Sequence, residues 1–554
     1  MMKKNTYNFS KKLVIIFVIA LFSTQLKSQT DSYFEVSKNL EIFTDLYKEL
    51  DFYYVDDINS GDLMKTAIDE MLMSLDPYTT YIPETDIEDY RFMTTGQYGG
   101  IGAMITRRKN FVYISEPYEG FPAQKAGLMA GDKLIEINGV SAEGKNTEEV
   151  SSILKGQPNT EVSILIERNG ERLTKRFKRE RITVKSIPYY GVLENGVGYI
   201  KLRSFTQNCA NEVKSALADL KSQQPLNGII LDLRSNPGGL LNESIDIVNL
   251  FVAKGEEIVT TKGKTKAWEK TYLSKNNPLD MNTPLVILIN SGSASASEIV
   301  SGSIQDLDRG VIIGRKSFGK GLVQQTRKLP YNSQLKVTVA KYYIPSGRCI
   351  QSLDYSNRNE DGSAGKVADS LVSTFNTRNG RVVKDGGGIN PDVITKQDDI
   401  SDISISLMSK NLIFDFATDF RYKNERISDI EDFIITDDIF SNFVSFLQDK
   451  DYEYTTTTEE ALEIFKEITV EEETSELLSK HITAIHDVIT NNKNNDLINN
   501  KSEIKKLLAS EIVSRYYYQE GRIKERLKYD VDIKEALKLF QNIEEYKNIL
   551  RLEE

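Results

Sequence analysis

Apolar residues recur at helical spacing at Phe34, Val36, Leu40, Ile42, Phe43, Leu46 and Leu50. A second periodic stretch, Leu63–Leu75, runs into the helix stop Asp76-Pro77. Residues 29–96 thus read as a helical N-terminal region. Its apolar face needs a partner, and both its own domain and a second subunit are open. The period changes at residue 97. Gly99-Gly100-Ile101-Gly102 opens a β-rich module, 97–181, with strands near Phe111–Ser115, Gly131–Gly139 and Val162–Arg168. Asn169-Gly170 predicts a hairpin back through Arg172–Arg179. Short helices are expected at Ala123–Ala126 and Thr147–Leu154.

Residues 182–400 alternate strands with helices. The strands read as Gly198–Leu202, Gly228–Leu233, Leu285–Asn290, Gly310–Gly314 and Leu335–Tyr343. Helices fall between them, for example Ala210–Gln223 and Ser244–Phe251. Near-continuous apolar strands predict an α/β layer with a largely buried sheet. Residues 355–390 lack periodicity and read as a surface excursion, poorly ordered in part. Residues 401–554 return to helix.

Residues 1–28 have the make-up of an export signal. Four lysines precede a ten-residue apolar run, Leu13–Phe22, which is short for a membrane span. The expected location is exported, periplasmic or envelope-associated, with an uncleaved anchor as the alternative. Of 554 residues, 40% are hydrophobic and 27% charged, a balance that fits several folded domains. A net charge of −11 argues against nucleic acid as the main partner. Two cysteines, Cys209 and Cys349, exclude a disulfide framework and read as buried thiols. The two histidines, His481 and His486, lie far down the chain and read as surface helix residues. A hydrolase built on this chain therefore needs a base other than histidine.

Three segments at the ends of apolar strands can carry such chemistry. Asp232–Gly239 ends in Pro237-Gly238-Gly239, where glycines let backbone approach a ligand. Asn290–Glu298 crowds small residues at a strand exit just before a helix. A serine there presents its hydroxyl, and the next N–H points the same way. Ser291, Ser293, Ser295 and Ser297 compete for that role. Gly314–Gln324 sets Lys320 between two glycines. Desolvation disfavours an ammonium ion, lowers the pKa and makes a lysine usable as a base.

Residues from about 60 to 400 resemble the carboxyl-terminal processing peptidases, or tail-specific proteases. The resemblance rests on the ordered set Leu75–Tyr78, Gly99–Gly102, Asp232–Gly239, Ser293–Glu298, Ser317–Gln324 and Tyr342–Arg348. It implies a crotonase-like (ClpP/crotonase) α/β core with an inserted PDZ domain and helical flanking regions. It also implies a serine endopeptidase with a Ser/Lys dyad: Ser295 as nucleophile, Lys320 as base and Gln324 orienting the lysine amine. The oxyanion donors would be the N–H of Ala296 and one glycine of Gly238-Gly239. Gly100, Ile101 and Gly102 would hold a peptide carboxylate in a backbone nest. Substrates would be unfolded or tagged protein C-termini, with no metal, coenzyme or nucleic acid, and a homodimer stays open. Two rival readings are an exported PDZ scaffold without catalysis and a crotonase-fold enzyme acting on thioesters.

Overall fold

The structure, a computed structural model, describes residues 33–359, 363–367, 369–396 and 400–552. The expected signal, 1–28, lies outside the described residues. No helix among those described is long and apolar enough to cross a membrane. The chain forms two units that divide after Tyr81. In the first, a helix over 33–53 is tied to Ser60 by the Tyr47 hydroxyl. A second helix, Ser60–Met73, is capped by Asn59, whose side chain accepts the Gly61 N–H at 3.0 Å.

In the second unit the β module is built as its alternation predicts. Strands Ala103–Arg108, Phe111–Pro117, Lys133–Ile137, Glu161–Arg168 and Glu171–Lys178 pair antiparallel in that order. Their inward residues Val112, Ile114, Leu134, Val162, Ile164 and Ile166 are fully buried. Helix Thr147–Leu154 starts with a capping box formed by Asn146 and Glu149.

The α/β region holds two sheets where the strand pattern suggests one. The central sheet runs Tyr189–Leu193, Val197–Lys201, Gly228–Asp232, Leu285–Ile289, Val311–Gly314 and Val393–Ile394. Every pair after the first is parallel. One face packs on helices Cys209–Gln223, Leu241–Asn249 and Ala296–Asp306. The other face, with Tyr199, Ile230, Val286 and Leu288, is covered by Ile533, Leu539 and Tyr546. These come from helices Val531–Gln541 and Ile543–Leu550, so the end of the chain seals the sheet. That explains strands apolar on both faces; each fully buried aliphatic side chain contributes about 1.5–3 kcal/mol.

Strand Gln334–Tyr343 belongs to a second sheet, paired with Leu322–Lys328 and Glu257–Gly263. The excursion over 355–390 is also more ordered than its composition implies. It contains the hairpins Leu353–Arg358 with Ala364–Lys366 and Thr374–Asn376 with Val382–Lys384. Arg381 anchors it through ion pairs to Asp308 and Asp392 at 2.5 Å each. Cys209 is fully buried, whereas Cys349 is only partly so. Helices from 402 to 527 form a further core around Phe416, Phe443, Leu508 and Ile512. That bundle grips the β module: Arg522 pairs with the buried Glu116 at 2.6 Å, and Gln124 donates to the Tyr518 hydroxyl.

Candidate active site

The central strands end together, and their exits carry the candidate chemistry. After Gly228–Asp232 the chain turns through Ser235, held at φ 59°, into Pro237-Gly238-Gly239. Asp232 fixes this exit. It is 1% exposed and pairs with Lys201 at 3.0 Å and Arg234 at 2.7 Å. Burial alone would raise its carboxyl, but the two cations outweigh it and hold the group well below the usual carboxylate range. A depressed folded value contributes stability that is present above the unfolded value, about 3.9. That stability is lost as pH falls through the folded one. Asp232→Asn leaves Arg234 and Lys201 with less compensation and is expected to cost about 3–5 kcal/mol. In urea titrations from pH 7 to pH 2, the wild type should lose part of its midpoint on acidification, a segment absent from the variant.

The next strand, Leu285–Ile289, exits through the serine cluster, and burial separates the four serines. Ser293 is fully buried and donates to the Leu233 carbonyl at 2.8 Å. Ser297 is fully buried and donates to the Asn236 carbonyl at 2.9 Å. Ser291 is exposed on the turn and lines none of the cleft. Ser295 alone of the four is half-buried and lines the cleft. Its backbone sits at φ 55°, ψ −109°, a region that L residues avoid. Such strain at a strand-to-helix turn is what lifts a side chain clear of the sheet.

The cleft measures about 560 Å³ and brings together residues from distant segments. Ser295, Ala296, Lys320, Gln324, Gly238 and Gly239 all line it. Gly238 is there because nothing larger fits: at φ 101°, a Cβ would lie 2.8 Å from the Ala294 carbonyl and 3.0 Å from the Ser295 Cβ. Its N–H donates to the Asn236 side chain at 2.9 Å and so is already engaged. Of the two glycines, Gly239 is therefore the one whose N–H can accompany that of Ala296. The Gln324 amide donates to the Thr338 hydroxyl at 3.2 Å, a partner that the sequence gives no signal for.

Two further side chains join the segments of Ser295 and Lys320. Glu298 is completely buried. One carboxylate oxygen accepts the N–H of Ser295 at 2.8 Å and that of Lys320 at 2.9 Å. The other accepts the Ser317 hydroxyl at 2.6 Å and the Gly319 N–H at 2.7 Å. Burial pushes its carboxyl up, and these four donors pull it back. The Ser-x-x-Glu spacing of a capping box was the available signal for it. On the other side, the Tyr342 hydroxyl lies 3.1 Å from the Ser295 carbonyl and 2.5 Å from the Lys320 carbonyl. A single oxygen of Glu298 and a single oxygen of Tyr342 thus bridge two residues 25 positions apart. Tyr342→Phe keeps the packing and removes one hydrogen bond of about 1–1.5 kcal/mol. The expected result is a fall in kcat of about tenfold with KM little changed, read from steady-state peptide cleavage.

A second cavity, about 180 Å³, lies in the β module and is lined by Tyr98, Ile101, Ala103, Tyr118, Leu154 and Lys155 among others. Of the Gly100–Gly102 turn, Ile101 lines it. Gly102, at φ 74°, lies where a Cβ would strike Phe121. The Tyr98 ring covers Gly100, and its buried phenol is pushed up, with the Gly102 and Ala103 N–H groups acting the other way. Tyr118 lines both cavities.

Comparison with known proteins agrees with this layout. The profile of Peptidase family S41 matches residues 196–355, and a PDZ domain profile matches 113–168. Residues 403–540, which carry no motif legible in the sequence, match "Probable PDZ-protease, C-terminal helical domain". The carboxy-terminal-processing protease of Bartonella bacilliformis is 38% identical over 321 residues, 57% of this chain and 73% of its own length. A probable CtpA-like serine protease of Staphylococcus aureus is 37% identical over 316 residues, 56% of this chain and 62% of its own. A solved photosystem II D1 C-terminal processing protease is 26% identical and covers 64% of this chain and 92% of its own, with a TM-score of 0.35. The chain belongs to peptidase family S41, the carboxy-terminal-processing serine proteases, and carries a PDZ domain.

Proposed function

We propose that this protein is an exported endopeptidase that engages protein C-terminal tails through its PDZ domain and cuts with a Ser/Lys dyad. The observation that carries the reading is the shared cleft. It joins the one serine of four that combines partial burial with a place in its lining to a lysine held on the facing loop. Lys320, as a neutral amine, takes the proton of Ser295 as the hydroxyl oxygen attacks the scissile carbonyl. Gln324 orients that amine. The N–H groups of Ala296 and Gly239 stabilise the oxyanion that develops only in the tetrahedral state. Collapse of that state expels the leaving amine, which takes the proton from Lys320, and water then releases the acyl group from Ser295. The parallel core is read as crotonase-like, and export rests on the composition of residues 1–28.

The PDZ turn Gly100–Gly102 is read as the seat of the substrate's terminal carboxylate. Backbone N–H bonds to a carboxylate contribute about 1.5–3 kcal/mol each. Amidating the tail of an unfolded protein substrate should therefore slow its cleavage about tenfold or more. Equal rates for free-acid and amidated substrates would remove the tail-sensing role from Gly100, Ile101 and Gly102. The rival scaffold reading predicts binding of the free-acid tail with no cleavage at all.

A further inference from the structure

The charges around the cleft do not match those of the protein that carries it. The chain has a net charge of −11, yet four basic side chains line the cleft and no aspartate or glutamate does. Lys185 and Arg203 stand on the wall that leads out of the PDZ domain, and both are exposed. Lys336, in register with Thr326 across the second sheet, and Lys320 also line the cleft. Acids close to this wall are engaged elsewhere: the buried Glu116, which acts on Tyr118 together with Arg203, pairs with Arg522 at 2.6 Å. Glu212 accepts the Ser186 N–H at 3.1 Å, and Glu243 accepts the Asn208 and Ala210 N–H groups at 2.8 and 2.9 Å. Neither Lys185 nor Arg203 forms an ion pair among the described residues. Between the cations the lining is apolar, with Phe92, Met93, Phe205, Leu241 and Val323.

A low-dielectric cleft lined by one sign of charge focuses its field on what enters it. From this arrangement we infer that the cleft selects apolar segments bearing a carboxylate within a few residues of the scissile bond, Lys185 and Arg203 being the selecting side chains. The inference rests on the peptidase reading and adds its substrate class. An acidic side chain and the terminal carboxylate of a short tail share this chemistry. Lysine near the cut is disfavoured by the same field.

The test uses the full chain and four acetylated decapeptides. Three are amidated and differ only in Glu, Gln or Lys two residues from the cut, and the fourth is the Gln peptide with a free C-terminus. The wild type should prefer Glu over Gln by about fivefold in kcat/KM at low salt, with Lys below Gln. The preference should shrink as ionic strength rises past 0.1 M, where charges more than about 10 Å apart are screened. The fourth peptide tells whether a terminal carboxylate is taken in place of a side chain. Lys185→Gln with Arg203→Gln should bring the Glu/Gln ratio close to one. Binding to Ser295→Ala, read by fluorescence anisotropy, reports the same ratio without catalysis. Cleavage of Glu and Gln peptides at equal rates in wild type overturns the inference, and so does a ratio unchanged in a folded double variant. If wild type cuts none of the peptides yet Ser295→Ala prefers Glu, the peptidase reading fails and the charge selection stands. Should the double variant not fold, the wild-type ratio and its salt dependence decide.

Discussion

Ser295→Ala is expected to abolish proteolysis and leave the fold intact, a loss of about 10⁴-fold or more in kcat, as for removal of a nucleophile that works as one unit with its base. The fold should survive because the Ser295 hydroxyl faces the cleft, while the contacts that fix its loop are made by its backbone. Its N–H bonds Glu298, and its carbonyl lies against the Tyr342 hydroxyl. Alanine keeps both. Ser293→Ala and Ser297→Ala are expected to behave in the opposite way. Each removes a buried hydroxyl that donates to a strand-end carbonyl, so stability falls by about 1–3 kcal/mol while the nucleophile remains. Cleavage of an unfolded substrate with an apolar tail, read alongside circular dichroism, checks all three. Full activity in Ser295→Ala, or loss confined to either neighbour, would sink the assignment. Comparing C-terminal fragments released by wild type and Ser295→Ala from an exported proteome then names the substrates.

Lys320→Arg should be as inactive as Lys320→Ala, although the arginine keeps the charge. A general base needs a lone pair, and a guanidinium stays protonated throughout the accessible pH range. General-base catalysis contributes about 10²–10⁴-fold, so the loss should fall in that range or beyond it. The loop should tolerate the change. The Lys320 N–H bonds Glu298 and its carbonyl lies against Tyr342, contacts that the substitution keeps. The arginine also preserves the positive charge of the cleft, which separates loss of base from loss of field. In wild type, activity that depends on a neutral amine rises with pH, and kcat/KM against pH for a neutral peptide measures that rise. An active Lys320→Arg would rule the lysine out as base.

Much of this was legible in the sequence because it depends on local pattern. Alternation over 97–181 specified the β module, and Asn169-Gly170 placed its hairpin where φ is positive at both positions. The apolar runs at Gly228–Leu233 and Leu285–Asn290 specified buried strands of an α/β layer. The pieces Pro237-Gly238-Gly239, Ser293–Glu298 and Phe318–Gly321 pointed to the cleft before any contact was known. Glycine and small-residue spacing is dictated by backbone approach, and backbone approach leaves its mark in the sequence.

What only the tertiary structure decided depends on partners far apart in the chain. Four serines looked equivalent until burial put Ser293 and Ser297 into the packing and left Ser295 at the cleft. Gly238 and Gly239 looked interchangeable until the Asn236 side chain took the Gly238 N–H. Leu335–Tyr343 read as one more core strand, because its composition says it is buried but not on which sheet. Glu298 shows only the spacing of a capping box and Tyr342 no mark of its role, since a clamp between residues 295 and 320 exists only when both loops meet. Residues 355–390 read as loose because their order comes from Arg381 on Asp308 and Asp392, not from their own periodicity. Residues 401–554 read only as helical, and packing alone shows that the apolar face of the helices over 531–550 closes the peptidase sheet. Local spacing determines which elements form and where backbone must come close. Burial and long-range hydrogen bonds determine which of several similar side chains is left facing the substrate.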